Sequence, residues 1–202
     1  MKKKFNIEFD FDVEKGKAML DYLLNQVGGQ YNYMALLKLV FFADRYHVRK
    51  YARPVSSDIY FALKLGPLPS NLCTVSKMIY NPIDNNFTAV RENGKIDMDR
   101  FSLSDIEAMN FAVQHFSPLG RRSQYILAYI THAYPEWNKY KKRFDANDRG
   151  RENMYYEDFL LNANPNHTEF IKYRFKDPFP PITPAVREMI LDEMVERSAM
   201  ML

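Results

Sequence analysis

The sequence predicts a mainly α protein with a small β element (α+β), and three observations carry that prediction. Apolar residues recur at helical spacing along most of the chain, most densely in LLKLVFFADRYHVRKY from Leu36 to Tyr51. Strand-like alternation is confined to short runs, and the turn signals between runs are frequent. A compact helical domain with a short hairpin or sheet follows, with a C-terminal helical extension.

Length and composition set the outer bounds. At 202 residues, 47% hydrophobic and 26% charged, the chain has the make-up of a folded protein able to bury a sizeable core. Fifteen Phe and fourteen Tyr form an aromatic excess that suits cores and partner surfaces alike. A net charge of +3 is too near balance for a nucleic-acid footprint. The single cysteine, Cys73, excludes an internal disulfide and fits a reducing, cytoplasmic setting. The N-terminus carries acids where a signal peptide needs an apolar run, and the longest apolar run, Leu39 to Ala43, is too short for a membrane span.

In chain order, KFNIEFDFD at 4–12 alternates through Phe5, Ile7, Phe9 and Phe11, the pattern of a strand with one buried face. Asp12 caps a helix to about Val27, stopped by Gly28-Gly29. A second helix spans about Tyr33 to Tyr51. Leu36, Val40, Ala43, His47 and Tyr51 share one side of it, and Lys38, Arg45 and Arg49 cluster opposite. Leu37, Leu39, Phe41 and Phe42 fill the flanks, so this helix must be wrapped nearly all round. Asp44 points inward and therefore needs a partner.

Ser57 to Lys64 reads as a short strand, Gly66-Pro67-Leu68-Pro69 as a turn, and the next stretch as a helix to Tyr80 ended by Asn81-Pro82. FTAVRENGKIDMD has a hairpin signature centred on Glu92-Asn93-Gly94-Lys95. Ser104 and Glu107 form a capping box opening the helix DIEAMNFAVQHF. Helices follow at YILAYITHAY and EWNKYKKRF, broken at Pro135. The polar stretch from Asp145 marks a domain edge, giving a domain over 1–145 and an extension over 146–202. In the extension, MYYEDFLLNA reads as a helix and DPFPPITP as a stiff linker at 177–184. Thr183-Pro184 starts a last helix, amphipathic through Val186, Met189, Ile190, Met194 and Val195. Its stripe reads first as core and second as a partner-docking or self-association face, which would make a homo-oligomer.

Several constellations invite chemistry. Asp44 and His47, three apart on a helix, could orient an imidazole as a general base, but no nucleophile elbow accompanies them and a satisfied core pair is the stronger reading. His132 and Glu136 are interrupted by Pro135, which breaks the register of a metal site. The Gly-Pro turn lacks the glycines and donors of a phosphate loop. Lys139, Lys141, Lys142 and Arg143 read as a solvated face.

Three blocks have a more specific order: Lys38-Leu-Val-Phe-Phe-Ala-Asp-Arg-Tyr-His47, then Tyr51-x-Arg53-Pro54, then Asp58-x-Tyr60-x-Ala62 with Gly66-Pro67-Leu68-Pro69-Ser70. Together they resemble the signature of the Panacea antitoxin domain, a family that takes in GepA-like phage-associated proteins and the proteolytic-adaptor antitoxin SocA. His132-x-x-Pro135-x-Trp137 resembles a later element of the same family, and the likeness covers about residues 15–145. Ala52, Ser57 and Leu68 depart from its usual Gly, Gly and Val. If position 52 needs a left-handed backbone, Ala costs about 1 kcal/mol there.

The resemblance implies a mostly helical domain with a small sheet, no catalysis, no cofactor and a cognate protein toxin as partner. The toxin would be neutralised by direct binding or, in the SocA-like mode, delivered to a protease, within a toxin–antitoxin system serving phage defence. It does not specify contact residues. Helical angle nominates Tyr46, Arg49, Lys50, Tyr60, Lys64 and Pro67 as an exposed toxin-binding lip, with Asp44, His47 and Arg53 holding a polar junction behind it. Two rival readings are an enzyme using Asp44 and His47, and a DNA-binding autorepressor whose basic residues at 139–151 would join Lys38, Arg45 and Arg49 on one surface.

Overall fold

The computed structural model describes residues 7–80, 88–90, 94–146 and 150–200. Helix α1 (Val13–Gln26) starts where the Asp12 carboxylate accepts the backbone N–H groups of Glu14 (2.9 Å) and Lys15 (3.0 Å). It stops at Gly28 and Gly29, both at positive φ (93° and 82°), with Gly29 N–H returning to Leu24 C=O. Strand β1 (Gln30–Asn32) then leads into α2 (Tyr33–Tyr51), whose first turn is capped by Asn32. Every residue of α2 from Ala35 to Arg45 is buried, and the helix ends on Ala52 in the left-handed region (φ 54°). The sidedness read from the sequence fails for Lys38, Arg45 and Arg49. All three are buried: Lys38 against Pro67, and Arg45 and Arg49 beneath the C-terminal part of the chain.

Ser57, at φ 55°, turns the chain into β2 (Tyr60–Leu63). The Gly-Pro-Leu-Pro motif is itself strand β3 (Gly66–Pro69), paired antiparallel to β2 with Leu63 opposite Gly66 and Tyr60 opposite Pro69. The turn sits earlier, at Lys64-Leu65. Prolines are tolerated here because β3 is an edge strand. Gly66, Leu68 and Ser70 share the parity that bonds to β2, with Ser70 N–H on Ile59 C=O, and the two prolines present their missing N–H outward. Helix α3 (Ser70–Ile79) follows; the proposed Asn81-Pro82 stop lies outside the described residues.

Strand β4 (Thr88–Val90) pairs with β1, Tyr31 opposite Ala89, rather than folding back on 94–97, so the expected hairpin is replaced by a pairing across α2. Part of its expected turn, Glu92-Asn93, lies outside the described residues. The other strand expected from sequence also changes. Residues 7–12 have Ile7 buried and Glu8 and Asp10 exposed, but belong to no ladder and to no helix. Alternation there reports which side chains face the core, and says nothing of pairing.

After a 3-10 turn at Met98–Arg100, helix α4 (Leu103–Arg122) opens on a capping box, Ser102 with Asp105, one pair earlier than Ser104 with Glu107. Both pairs satisfy the spacing rule, and Ser102, extended at φ −75° and ψ 165°, is the residue that caps the helix. Helices α5 (Gln124–Thr131), α6 (Pro135–Asn138) and α7 (Lys141–Asp145) complete this part. Strand β5 (Glu152–Asn153) adds to the open side of β2, giving the order β3-β2-β5. The helix expected at MYYEDFLLNA is a 3-10 turn, Tyr156–Leu160: three residues per turn place Tyr156 and Phe159 together on the core side. Helix α8 (Thr168–Tyr173), an irregular proline segment and α9 (Pro184–Met200) end the chain. In α9 Met194 is buried, whereas Val186 and Met189 are exposed.

Two small antiparallel sheets, β1-β4 and β3-β2-β5, set among helices are therefore the observed architecture of the described residues, mainly α with a little β. The core is aromatic. Phe42 stacks on Phe116 with centroids 3.6 Å apart, and Phe41 meets Tyr60, Tyr134 and Phe159 edge-on. Residues beyond 145 share this core: Phe159, Phe170, Phe179 and Met194 belong to the same cluster as Leu36 to Val48.

Candidate functional site

The polar residues of α2 divide into two sets by the direction they face. The first set is enclosed and builds the fold. Asp44, fully buried, accepts hydrogen bonds from Val55 N–H and Ser56 N–H (both 2.8 Å), from the Ser56 hydroxyl, and from Tyr60 OH (2.8 Å). One carboxylate thus ties the loop after α2 and the start of β2 to the helix. Burial pushes its proton affinity up, and these donors oppose that shift.

His47 does not meet Asp44. Its Nδ1 lies 2.6 Å from Arg53 C=O and its Nε2 3.0 Å from Ser104 Oγ, with Asp105 Oδ1 at 3.4 Å. A carbonyl only accepts, so Nδ1 carries the proton and Nε2 takes the serine hydroxyl. Burial pulls the imidazole down to about 4, the Arg53 carbonyl opposing and the Arg53 charge adding to the shift. A neutral, fully enclosed imidazole bonded to a carbonyl and a serine, with the aspartate engaged elsewhere, forms no acid–base pair. Arg53 joins the junction through Asp105, 2.9 Å away.

Because His47 is depressed in the folded state, the unfolded chain binds the extra proton between about pH 6.5 and 4. The stability tied to its neutral form is therefore complete above about pH 6.5 and is lost as pH falls towards 4, at most about 3 kcal/mol. Asp58, which burial raises to about 6, acts in the opposite direction. Urea melts of wild type and His47→Asn across pH 4–7 isolate the histidine: the gap in pH slope between them is the expected signal, and parallel curves would refute it.

Lys38, Arg45 and Arg49 serve as internal clamps. Lys38 Nζ donates to Pro67 C=O, and burial draws the amine down to about 7. Arg45 forms an ion pair with Glu136 at 2.5 Å, both side chains wholly enclosed, and donates to Leu161 C=O at 2.7 Å. Arg49 reaches the carbonyls of Phe159, Leu161 and Pro180 and the side chain of Asn162, at 2.8–3.1 Å. These bonds attach the C-terminal part of the chain to α2. Arg49, Tyr60 and Pro67, nominated as exposed lip residues, are all buried, which corrects that expectation: Arg49 holds carbonyls, Tyr60 holds Asp44, and Pro67 receives Lys38.

The second set faces out, across the groove between α2 and α4. Tyr46 OH and Lys50 Nζ both donate to Glu107 Oε1 at 2.5 Å, and Tyr51 OH donates to Oε2. Three donors pull Glu107 down to about 2, led by Lys50. The Tyr46 ring stacks on Phe111 at 4.2 Å, and Phe111 in turn lies 4.6 Å from the His115 ring. The result is a half-exposed strip, Tyr46, Lys50, Glu107, Phe111 and His115, with Leu103 largely in solvent at the start of α4. Lys64 is exposed but sits elsewhere, on the β2–β3 turn. The structure thus brings Tyr46 and Lys50 together and leaves Lys64 apart. Glu107 and Phe111 were missed at sequence level, the first because it fits a capping box, the second because a ring at helical spacing reads as core.

Among the described residues no group of His, Cys, Asp and Glu could hold a metal ion, and no helix is long and apolar enough to cross a membrane. Residues 36–138 match the family model described as antitoxin SocA-like, Panacea domain. No curated protein and no solved structure matches the chain.

Proposed function

Because the chain belongs to the SocA-like Panacea antitoxin family, we propose that it neutralises a cognate protein toxin by direct binding, through the α2–α4 strip. The observation that carries this reading is the arrangement around Glu107: rings and a cation are fixed in position by one carboxylate, at the surface of the region matched by the family. Aromatic and cationic groups held rigid before binding lose little side-chain entropy in a complex, which is how interface anchors work. The clamps behind the strip keep α2 immobile.

The autorepressor reading needs Lys38, Arg45 and Arg49 on an exposed basic surface, and all three are buried. The enzyme reading needs a reaction cleft on Asp44 and His47, and both side chains are enclosed without touching each other.

The test is co-expression with the open reading frame next to this gene. Wild type is expected to restore growth when the neighbour is induced. Lys50→Glu places two carboxylates side by side at the surface, and should weaken rescue at unchanged expression and melting temperature. Arg49→Glu is no test of the interface, because it would break the C-terminal attachment. Rescue unaffected by Lys50→Glu and Tyr46→Ala would move the interface off this strip; a neighbour that is harmless alone, or toxic beside wild type, would overturn the antitoxin reading. Rescue lost in a protease-deficient host would replace blockade by delivery to a protease.

A further inference from the structure

On another face of the molecule, the segment 7–11 stands across a cleft of about 600 Å³ from β2 and the chain around β5. Its walls are ring-rich, with Phe9 packed edge-on against Tyr156 at 5.7 Å, and with Ile59 and Tyr155 substantially exposed. The backbone N–H and C=O groups of 7–11 bond to no described residue, so the main chain of this wall is open to pairing. The facing wall has its main chain engaged: Ile59 C=O takes Ser70 N–H, Tyr60 C=O takes Met154 N–H, and Asp58 C=O takes Tyr156 OH.

The charged residues of the described lining are all acidic. They are Glu8, Asp10 and Asp58, with no lysine, arginine or histidine, in a chain whose net charge is +3. Asp58 is occupied by Asn71 N–H and Leu72 N–H at the start of α3, which leaves Glu8 and Asp10, both exposed, to meet an occupant. Two rings of the cleft already carry cations from outside the lining: the Arg151 guanidinium lies 4.4 Å from the centroid of Phe61, and Lys139 Nζ 5.4 Å from that of Tyr155.

We propose that this cleft docks an extended, cationic segment of a partner protein, which pairs its backbone with 7–11, sets lysine or arginine against Glu8 and Asp10, and lays its alternate apolar side chains on Ile59 and Tyr155. An open main chain supplies the backbone affinity and the two faces of the added strand supply selectivity, the general logic of strand addition. The site is separate from the α2–α4 strip and does not rest on the toxin-binding reading.

The test is selection of a displayed random heptapeptide library on the full chain, followed by anisotropy titration of the winning synthetic peptides. Enriched peptides should alternate lysine or arginine with apolar residues and shift the backbone amides of 8–11. Glu8→Lys/Asp10→Lys should weaken them about tenfold at low salt, with Glu8→Gln/Asp10→Asn giving a smaller loss. Both carboxylates are exposed, so folding should be unaffected. Lys50→Glu should bind as wild type does. No enrichment, acidic winners, or equal binding by the charge-reversed variant would overturn the proposal. Displacement by an equal concentration of spermine, a cation without a peptide backbone, would overturn strand pairing.

Discussion

Arg45→Met is expected to destabilise the protein by about 3–5 kcal/mol, because it leaves Glu136 buried without its partner. Neither side chain of this pair touches solvent, and the guanidinium also lies over the Tyr134 ring at 4.5 Å and the Phe179 ring at 5.1 Å. Removing it therefore takes away a charge partner, two ring contacts and the donor to Leu161 C=O. The pair itself adds little against a well-packed apolar replacement, since both ions had to be desolvated. Arg45→Met/Glu136→Leu should for that reason recover much of the loss, with the Leu161 carbonyl as the residual cost. Urea denaturation of the two singles and the double gives the coupling energy. A single variant losing less than about 1 kcal/mol, or a double worse than the sum of the singles, would show that the pair does not act as described.

Gly66→Ala is expected to cost about 3 kcal/mol, from two sources that can be separated. The position lies at φ +95°, where any side chain strains the backbone by about 1–2 kcal/mol. An added Cβ would also run into Thr131 Oγ1 and approach Lys38 Cε at 3.3 Å. In a Thr131→Ala background the overlap is gone and only the backbone cost should remain, so Gly66→Ala should lose about half its effect there. An equal loss in both backgrounds, read from the same melts, would assign the whole effect to the backbone. The result also bears on Lys38, whose amine reaches the Pro67 carbonyl beside this glycine.

The helical skeleton was legible because helix signals are local. Asp12 and Thr183 each sit before their helix, Gly28-Gly29 just after one, and α2 has the bounds that its apolar density implies. The departure at Ala52 was legible too, as a position of strain if left-handed, and it is held at φ 54°; Ser57, marked only as a departure from Gly, is left-handed as well, at φ 55°. Strand partners were not. β1 and β5, three and two residues long, carry no period of their own, and exist because β4 and β2 lie beside them. Choices between two equal local options were also closed to sequence, such as Ser102 with Asp105 against Ser104 with Glu107.

The site shows the same division more sharply. Helical angle correctly put Asp44 and His47 inside and Tyr46 and Lys50 at the margin, since angle depends on residue spacing alone. It failed for Arg49, because the sequence of a helix does not state what a segment more than a hundred residues later will cover, and for Tyr60 and Pro67, which lie on strands and turn in to Asp44 and Lys38 of α2. By itself, then, the sequence determined where the helices run, which side chains need partners, and the family signature. Only the tertiary structure decided who those partners are, which cations are clamps and which are surface, and that one carboxylate on α4 gathers the exposed groups of α2. Periodicity is a property of neighbouring residues, whereas burial and pairing depend on chain brought in from afar.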